Sequence, residues 1–480
     1  MQVLKGLEPQ KVFGYFEELS SIPRGSGHTR AVSDHCAAFA RQRGLQCWQD
    51  AANNLIIKKP AAPGYGSAAP VILQGHLDMV CEKTPDCPKD LEREGLDLFV
   101  EGDLVGARGT TLGADDGIAV AMALAILDSD SIPHPPLEVL LTVDEEVGML
   151  GAAALDPAPL QGRQLLNLDS ESEGVLTVSC AGGNVTECVL PVHRAPFEGQ
   201  PMTLTVGGLT GGHSGAEIDK GRGNSNLLMG RVLCALQDRT GFRLVSAEGG
   251  FKDNAIPRQT AARLVAADRQ AVLDTAARMS EAFARELHGA DPGVFVKAEE
   301  GPAAPWQPLD AASTAAAVCL LCCAPNGIQA MSTDIPGLVQ TSLNLGILKT
   351  AEDALSAAFC VRSSLATQKE MLTRRLECLT RQLGGSIRVT GDYPAWEYKA
   401  DSALRRLMVQ VYRDQYGSEP RVEAIHAGVE CGLLCGKLPG LDCVSFGPDL
   451  REIHTPRERM SIASVQRVWN YTLEVLRRCR

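Results

Sequence analysis

The sequence predicts an α/β protein in which a doubly wound domain is interrupted by an inserted α+β domain. The beginning and the end of the chain alternate apolar, β-branched runs with helical patterns, which is typical of βαβ units around a parallel sheet. The middle has the order strand, helix, strand, strand, helix, strand, which is the split βαββαβ unit. The length also predicts at least two domains, because a single hydrophobic core stops growing at about 250–300 residues and the chain has 480.

The outer domain is predicted from two separate segments, 1–183 and 395–480. In the first segment, buried parallel strands are expected at 71–74, 137–143 and 164–168, with a helix at 116–127. In the second segment, we expect a helix at 400–416, a strand at 441–446 and an amphipathic helix at 462–478. Both segments therefore contribute strands to one sheet.

The inserted domain is predicted at 184–394 and contains two similar runs of elements. The first run has strands at 202–206, 242–245, 260–265 and 294–297 and helices at 225–237 and 269–287. The second has helices at 310–323 and 368–383 and strands at 339–347, 355–361 and 386–390. We therefore expect a domain made of two βαββαβ-like units.

Composition and charge exclude several classes of protein. The chain has 46 basic and 58 acidic side chains, a net charge of −12, which argues against nucleic acid or an anionic membrane surface as a partner. The longest apolar run, 118–127, has 10 residues, whereas a membrane span needs about 20. The first 18 residues lack the apolar stretch of a secretory signal.

The 16 cysteines are scattered through apolar segments, so reduced thiols in the cytoplasm are expected.

Polar side chains follow each of the predicted parallel strands. His76 and Asp78 follow the first, Glu145 and Glu146 the second, and Asp169 the third. Ligands in open α/β sheets bind just beyond the carboxyl ends of the strands, so we expect these side chains to converge.

Two further segments contribute to the same set. Asp115 directly precedes the helix at 116–127, Asp116 begins it, and His454 lies in the loop after the last predicted strand. Each residue alone is typical of a helix cap or a turn, but several carboxylates at one sheet edge would repel each other unless cations neutralised them. Imidazole and carboxylate ligands without thiolate suit Zn²⁺, Mn²⁺ or Co²⁺ at a hydrolytic centre. The carboxylate of Asp78 is spaced to orient the His76 ring.

These motifs together resemble a known family. The segments are Gly75-His76-Leu77-Asp78-Met79-Val80, Gly113-Ala114-Asp115-Asp116-Gly117, Thr142-Val143-Asp144-Glu145-Glu146-Val147-Gly148, Asn167-Leu168-Asp169-Ser170-Glu171 and the C-terminal His454. The set resembles the di-zinc metallopeptidases related to carboxypeptidase G and aminoacylase, and within them the aminoacyl-histidine (Xaa-His, or β-alanyl-histidine) dipeptidases. The resemblance spans nearly the whole chain and implies a zinc-peptidase catalytic domain with an inserted lid domain.

The resemblance also implies a role for each residue of the centre. His76 and Asp169 would bind one metal, Glu146 and His454 the other, and Asp115 would bridge them. Asp78 would orient His76, and Glu145 would be the general base that acts on a metal-activated water. Many of these dipeptidases have Asn after the bridging Asp, whereas this chain has Asp116, which adds a charge beside the site.

Four further residues are implied to bind substrate, three of them in the inserted domain and His426 in the second segment of the outer domain. His213, in Gly211-Gly212-His213-Ser214-Gly215, resembles the lid histidine that polarises the scissile carbonyl. Asn254 resembles a lid residue near the substrate, and Arg362 resembles the arginine that binds its terminal carboxylate. His426 falls where the family approaches its substrate. An ordinary alternative is that His213 marks a turn and that Arg362 is a surface cation at a strand end.

The expected function is hydrolysis of small dipeptides of the Xaa-His type, including β-Ala-His, with two divalent metal ions, zinc first and manganese or cobalt as alternatives. One rival is an N-acyl amino acid hydrolase or carboxypeptidase of the same clan. Another is a non-catalytic peptide-binding relative, which loss of Glu145 or of a ligand would have favoured. A redox role for the cysteines finds no electropositive setting in the sequence. The second lid unit could occupy the place of a partner subunit in smaller relatives, so a monomer or a homodimer is expected.

Overall fold

The computed structural model describes residues 3–301 and 306–480, which form two compact units. The outer unit runs to Ser179 and resumes with Tyr398–Ala424 and Val429–Arg480; the inserted unit comprises Cys180–Glu397 and Ile425–Gly428. The inserted unit begins before and ends after the predicted 184–394. The reason is backbone pairing, because the Cys180 and Trp396 main chains hydrogen-bond each other and the Ala181 N–H donates to the Ile425 carbonyl.

The helices of the described residues are α1 Gln10–Ser20, α2 Arg30–Gln42, α3 Ala114–Leu127, α4 Leu150–Ala154, α5 Ser225–Gln237, α6 Arg269–Glu286, α7 Ala311–Cys323, α8 Ala366–Gln382, α9 Ala403–Tyr416, α10 Glu430–Lys437 and α11 Ile462–Arg478. The seven predicted helices are all present with ends close to the predicted ones, and four further helices of the described residues, α1, α2, α4 and α10, were not predicted. None of these helices is long and apolar enough to span a membrane.

The strands are more numerous than the sequence predicts, because several are short or lie at sheet edges. They are β1 Gln46–Gln49, β2 Leu55–Lys59, β3 Val71–His76, β4 Leu98–Glu101, β5 Leu104–Ala107, β6 Leu137–Thr142, β7 Gln164–Asn167, β8 Val175–Cys180, β9 Gly182–Pro191, β10 Gln200–Gly207, β11 Gly212–His213, β12 Phe242–Gly249, β13 Ala255–Ile256, β14 Thr260–Ala266, β15 Phe295–Glu300, β16 Gly327–Met331, β17 Val339–Thr350, β18 Ala354–Ser363, β19 Ser386–Tyr393, β20 Arg421–Ile425, β21 Asp442–Ser445, β22 Leu450–Arg451 and β23 Arg459–Ser461.

The outer unit is built on an eight-stranded sheet with the order β1-β2-β6-β3-β7-β21-β8-β20. Its centre, β6-β3-β7-β21, is parallel, whereas β1 and β2 at one edge are antiparallel. His76 is in register with Thr142, and Gln74 with Asn167, so the central strands end close together. The loops that carry the predicted site therefore leave the same edge of the sheet.

Helix α3 lies in the interior of the outer unit and packs against α1 and β3. Its residues from Gly117 to Leu127 are all buried, which suits its nearly uniform apolar sequence. Its first turn is irregular, because Asp115 has extended φ/ψ values of −79° and 106°. The Asp115 side chain is thus held at the end of a rigid buried helix.

The inserted unit contains a nine-stranded sheet with the order β15-β10-β14-β12-β17-β18-β9-β19, and β16 pairs with β17. The sheet consists of two halves, β15-β10-β14-β12 with α5 and α6, and β17-β18-β9-β19 with α7 and α8. From the outer edge of the sheet to its middle, each half has its fourth, first, third and second strand in chain order. Each half is a βαββαβ unit, as predicted. The sequence did not indicate that β9, the first strand of the second half, precedes the whole first half in the chain.

One hydrophobic core joins the two halves of the inserted unit. Buried residues from the helices and from both sets of strands form a continuous cluster, which includes Leu204, Leu233, Phe283, Leu321 and Phe359. This shared core makes the two halves one domain, because neither half buries its apolar surface alone.

Candidate metal centre

Five elements of the outer unit deliver the predicted ligands to one place. His76 is the last residue of β3, Glu146 follows β6, Asp169 follows β7, and Asp115 begins α3. His454 lies between β22 and β23 with a left-handed φ of 60°, which a non-glycine residue adopts only when its surroundings hold it there.

The Asp115 carboxylate lies between the two imidazoles. Its Oδ1 is 3.0 Å from His76 Nε2, and its Oδ2 is 3.1 Å from His454 Nε2. His454 Nε2 is also 3.0 Å from Glu146 Oε2, and His76 Nε2 is 3.6 Å from Asp169 Oδ1. The five side chains therefore form two groups, one around each imidazole, that share Asp115.

The charges of the centre shift the pKa values strongly. Burial opposes protonation of His76, but Asp169, Asp115 and Asp78 raise its pKa well above the ordinary value. Hydrogen bonds to Asp115 and Glu146 raise the pKa of His454 to about 10. Burial raises the pKa of Glu146 and of Asp169, and neighbouring carboxylates add to both shifts. The protein thus gathers more negative charge here than its own residues neutralise.

Glu145 lies in the same cluster. Ligand atoms of His76, Glu145 and Glu146 all lie within 4.8 Å of one another. Burial, with the charges of Asp169 and other carboxylates, raises the pKa of Glu145 to about 9. A buried carboxyl group beside an imidazole and a second carboxylate is placed to accept and return a proton.

Asp78 is fully buried and contacts both the His76 ring and the loop after β6. Its Oδ1 is 3.4 Å from His76 Nδ1, on the far side of the ring from Asp115. The same carboxylate accepts hydrogen bonds from Ser26 Oγ and from the backbone N–H groups of Glu145 and Glu146. Asp78 therefore holds the loop after β6 and lies beside the His76 ring.

Asp116, where the resemblance implies Asn, is buried next to His76. Its Oδ2 accepts the backbone N–H of His76 at 3.1 Å. Burial and the charge of Asp169 raise its pKa well above the ordinary value. A Cβ on Gly75 would lie 2.5 Å from Asp116 Oδ2, so the close approach of this carboxyl group requires glycine.

Two buried charges that support Asp115 were not predicted from the sequence. The Glu458 carboxylate accepts the backbone N–H groups of Leu112, Gly113, Ala114 and Asp115 at 2.8–3.4 Å. The Arg24 guanidinium, 2% exposed, donates to the carbonyl groups of Leu77, Asp78 and Gly113. The signals available were only that Glu458 follows His454 by four residues and that Arg24 is a lone cation after an amphipathic helix.

Glu430 is a third buried charge that sequence reasoning missed. It is fully buried at the start of α10 and accepts hydrogen bonds from Gln74 Nε2 and Thr142 Oγ1, both at 2.6 Å. Gln74 in turn accepts from Asn167 Nδ2 at 2.5 Å. Glu430 thus ties together the three strands that carry His76, the Glu145–Glu146 pair and Asp169.

The four predicted substrate-binding residues lie in the inserted unit. His213 and Ala255 pair across β11 and β13, and the Ser214 N–H donates to the Asn254 carbonyl. Burial and the charges of Arg362 and His213 lower the pKa of His426 to about 4. His213, Asn254, Arg362 and His426 therefore belong to one polar region of this unit.

The hydrogen bonds of this region define which atoms can donate to a ligand. His213 Nδ1 accepts the backbone N–H groups of Gly215 and Ala216, so the ring proton is on Nε2. Arg362 is buried, and its guanidinium donates to Tyr393 Oη at 3.1 Å. Within the described residues, His426 Nδ1 is buried without a hydrogen-bond partner, while its Nε2 contacts Ser342 Oγ. The region thus presents donors for carbonyl and carboxylate oxygens.

The donor set of the outer unit fits divalent cations. The set contains two imidazoles and several carboxylates without a thiolate, which suits zinc, manganese or cobalt. Glu146 Oε1 is buried and has no hydrogen-bond partner among the described residues, as expected of an oxygen reserved for a metal. The fold and this cluster define the class of metal-dependent hydrolases that carry a carboxylate-rich centre at the edge of a doubly wound α/β sheet.

The comparisons with known proteins narrow this class to one family. Residues 72–478 match the model of the peptidase family M20/M25/M40, and the chain belongs to this family. The resemblance seen in the motifs and the predicted fold class are confirmed.

Individual relatives cover the whole chain. The chain is 36% identical to the cytosol non-specific dipeptidase of Escherichia coli (strain K12), over 99% of both chains. The crystal structure of an aminoacylhistidine dipeptidase from Vibrio alginolyticus matches with a TM-score of 0.93 and 35% identity, covering 98% of this chain and 97% of that one. A tripeptidase from Staphylococcus aureus shares the fold, with a TM-score of 0.55, 16% identity and coverage of 98% and 99%.

Proposed function

We propose that this protein is a metal-dependent dipeptidase and that Xaa-His dipeptides, including β-Ala-His, are among its substrates. The observation that carries the proposal is the Asp115 carboxylate between two imidazoles, with Glu145 in the same cluster. The printed names of the E. coli and Vibrio relatives support dipeptides as the substrate class.

The metal ligands are assigned in two groups. His76 and Asp169 would hold one ion, Glu146 and His454 would hold the other, and Asp115 would serve both. Zinc suits this set, with manganese and cobalt as alternatives. When bound, such ions lower the pKa of water and polarise the carbonyl group of a substrate.

The residues of the outer unit move the protons. The Glu145 carboxylate accepts a proton from the attacking water and then gives it to the nitrogen of the leaving amino acid. Asp78 holds the His76 ring and, through the backbone N–H of Glu145, the position of the base. Asp78 is therefore a positioning residue, whereas Glu145 is a catalytic one.

The inserted unit supplies the groups that recognise the dipeptide. His213, with its proton on Nε2, donates to the oxygen of the scissile carbonyl as negative charge develops there. Arg362 binds the terminal carboxylate, because its planar guanidinium can form two parallel hydrogen bonds. Asn254 and His426 complete the contacts to the substrate.

The test is the variant Glu145→Gln. It removes the base without changing the side-chain volume, so we expect kcat for β-Ala-His to fall by about 10²–10⁴-fold. Metal content, measured by elemental analysis, should stay at the parent value. The matched control Glu286→Gln removes an exposed carboxylate that pairs with Arg231 in the inserted unit and should leave kcat unchanged. Near-normal turnover by Glu145→Gln would contradict the assigned role.

The rival within the family is distinguished by a substrate panel. Initial rates on β-Ala-His, several other dipeptides and N-acetyl amino acids are compared at equal concentration. Preference for dipeptides supports the proposal, and preference for N-acetyl amino acids supports an acyl amino acid hydrolase. Arg362→Lys should raise KM more than it lowers kcat, because lysine cannot form the two-bond contact.

We also propose that the protein acts in the cytoplasm, as the name of the E. coli relative states for that protein. No cysteine of the described residues forms a disulfide bond, which is typical of a reducing compartment. The monomer or homodimer expected from the sequence stays a prediction, which sedimentation of the full chain tests.

A further inference from the structure

Four cysteines of the inserted unit lie together outside the proposed catalytic and substrate-binding residues. One is Cys234 on α5, and the others are Cys319, Cys322 and Cys323 on α7. Cys319 is half-buried and the other three are exposed. We refer to these four residues as the thiol cluster.

Close packing of two helices creates the thiol cluster. A Cβ on Gly230 would lie 2.7 Å from Leu321 Cβ, so α5 and α7 approach closely where α5 has glycine. At this crossing the Cys322 Sγ donates to the Gly230 carbonyl at 3.2 Å. Cys234 lies one turn further along α5 and interacts with the Cys322 thiol.

The spacing on α7 suits two thiolates on one ion. Cys319 and Cys323 are four residues apart, on the same helix face, and their Sγ atoms are 3.9 Å apart. Two sulfurs on a tetrahedral ion with metal–sulfur bonds of about 2.3 Å are about 3.8 Å apart. Cys234 interacts with Cys319 as well as with Cys322, and Cys322 would give up one weak hydrogen bond to the Gly230 carbonyl to join the pair.

We propose that the thiol cluster binds one soft d¹⁰ cation, of the class of Zn²⁺, Cd²⁺ or Cu⁺, with Cys319 and Cys323 as the first two ligands and Cys234 and Cys322 completing the site. Thiolates select such ions over the hard cations that prefer carboxylates. The site is separate in its chemistry from the imidazole and carboxylate centre of the outer unit.

The protonation of the thiols favours a metal site over a disulfide switch. Burial, reinforced by Cys234, raises the pKa of Cys322 to about 12, and burial and Cys323 raise that of Cys319. Thiols with raised pKa values are poor nucleophiles in disulfide exchange. A bound cation instead displaces the protons and neutralises the gathered thiolates.

The test uses reduced full-length protein titrated with Cd²⁺, followed by the ultraviolet sulfur-to-cadmium charge-transfer band. We expect the band to grow to about one equivalent per chain. The double variant Cys319→Ser/Cys323→Ser should lose this band. The control Cys378→Ser removes an exposed cysteine on α8 and should keep it. Absence of the band, or its survival in the double variant, overturns the proposal.

A second measurement covers the case in which the double variant does not fold. In the parent protein, Cd²⁺ should slow alkylation of the thiol cluster by about tenfold or more, because metal-bound thiolates are shielded from the reagent. Alkylation of Cys378, counted by peptide mass spectrometry, should keep its rate. Equal rates with and without Cd²⁺ at the thiol cluster would overturn the proposal. Neither readout depends on dipeptidase activity, so failure of the proposed function leaves both intact.

Discussion

The buried Glu458 carboxylate offers a sharp test of how the centre is held together. It accepts four backbone N–H groups at the start of α3, with Oε2 serving Leu112 and Gly113 and Oε1 serving Ala114 and Asp115. The substitution Glu458→Gln keeps the shape of the side chain but replaces one oxygen by an NH₂ group. Two N–H donors then face another donor instead of an acceptor.

The expected cost follows from the hydrogen bonds that are lost. A hydrogen bond to a charged group contributes about 1.5–3 kcal/mol, so the loss of two predicts a destabilisation of about 3–6 kcal/mol. Local movement relieves part of this cost, and we take about 3 kcal/mol as the expected value. In a domain the size of the outer unit, 1 kcal/mol lowers the melting midpoint by about 2–4 °C, so the fall should be about 6–12 °C.

The assay is thermal denaturation followed by calorimetry, with kcat for β-Ala-His measured beside it. Because Asp115 is one of the four residues held, kcat should fall as well. The matched control is Glu452→Gln in the same loop, whose exposed carboxylate pairs only with Arg457 within the described residues and should change the midpoint by less than about 2 °C. A midpoint for Glu458→Gln as close to the parent as that of the control would refute the reasoning.

Three further outcomes are expected. Gly75→Ala should destabilise the protein by about 1–3 kcal/mol in calorimetry, because the new methyl group would press on the buried Asp116 carboxyl group. Despite partial burial, hydrogen bonds from Lys11 and Arg43 lower the pKa of Asp128 to about 2. Asp128→Asn should therefore cost about 1 kcal/mol at pH 7 after solvent screening, and the difference from the parent should vanish as the pH falls from about 4 to about 2. Removal of divalent ions with a chelator should abolish dipeptide hydrolysis and lower the melting midpoint, and Zn²⁺ should restore both; unchanged activity in metal-free protein would contradict the assigned centre.

Local sequence patterns predicted most of the elements well. The helices predicted at 225–237 and 462–478 coincide with α5 and α11, because helix ends depend on nearby caps such as Asn224 and Ser461. The strands that end at the centre were also predicted, since they are buried on both faces and read as continuous apolar runs. His76, Glu145, Glu146, Asp169 and Asp115 were predicted because each one lies at the end of such a strand, follows one or begins the buried helix, whereas His454 was predicted from the resemblance of the motifs.

Pairing between distant segments was not predictable. β9 belongs to the second half of the inserted sheet although it precedes the first half in the chain, and its partners are β18 and β19. The partner of a strand is decided by the side-chain packing of the folded domain, and the local sequence of the strand does not show this packing. The edge strands β1 and β2, which make the outer sheet mixed, were missed for the same reason.

The sequence by itself determined which side chains gather at the candidate metal centre, since the types and order of His76, Asp115, Glu145, Glu146 and Asp169 were readable from strand ends and motifs. Only the tertiary structure decided how those side chains are held. Glu458 and Glu430 contact residues hundreds of positions earlier in the chain, and a buried carboxylate acquires its role from the N–H and side-chain donors that folding brings to it. These long-range contacts of Glu458 and Glu430 form only when distant parts of the chain come together, so the local sequence pattern does not predict them.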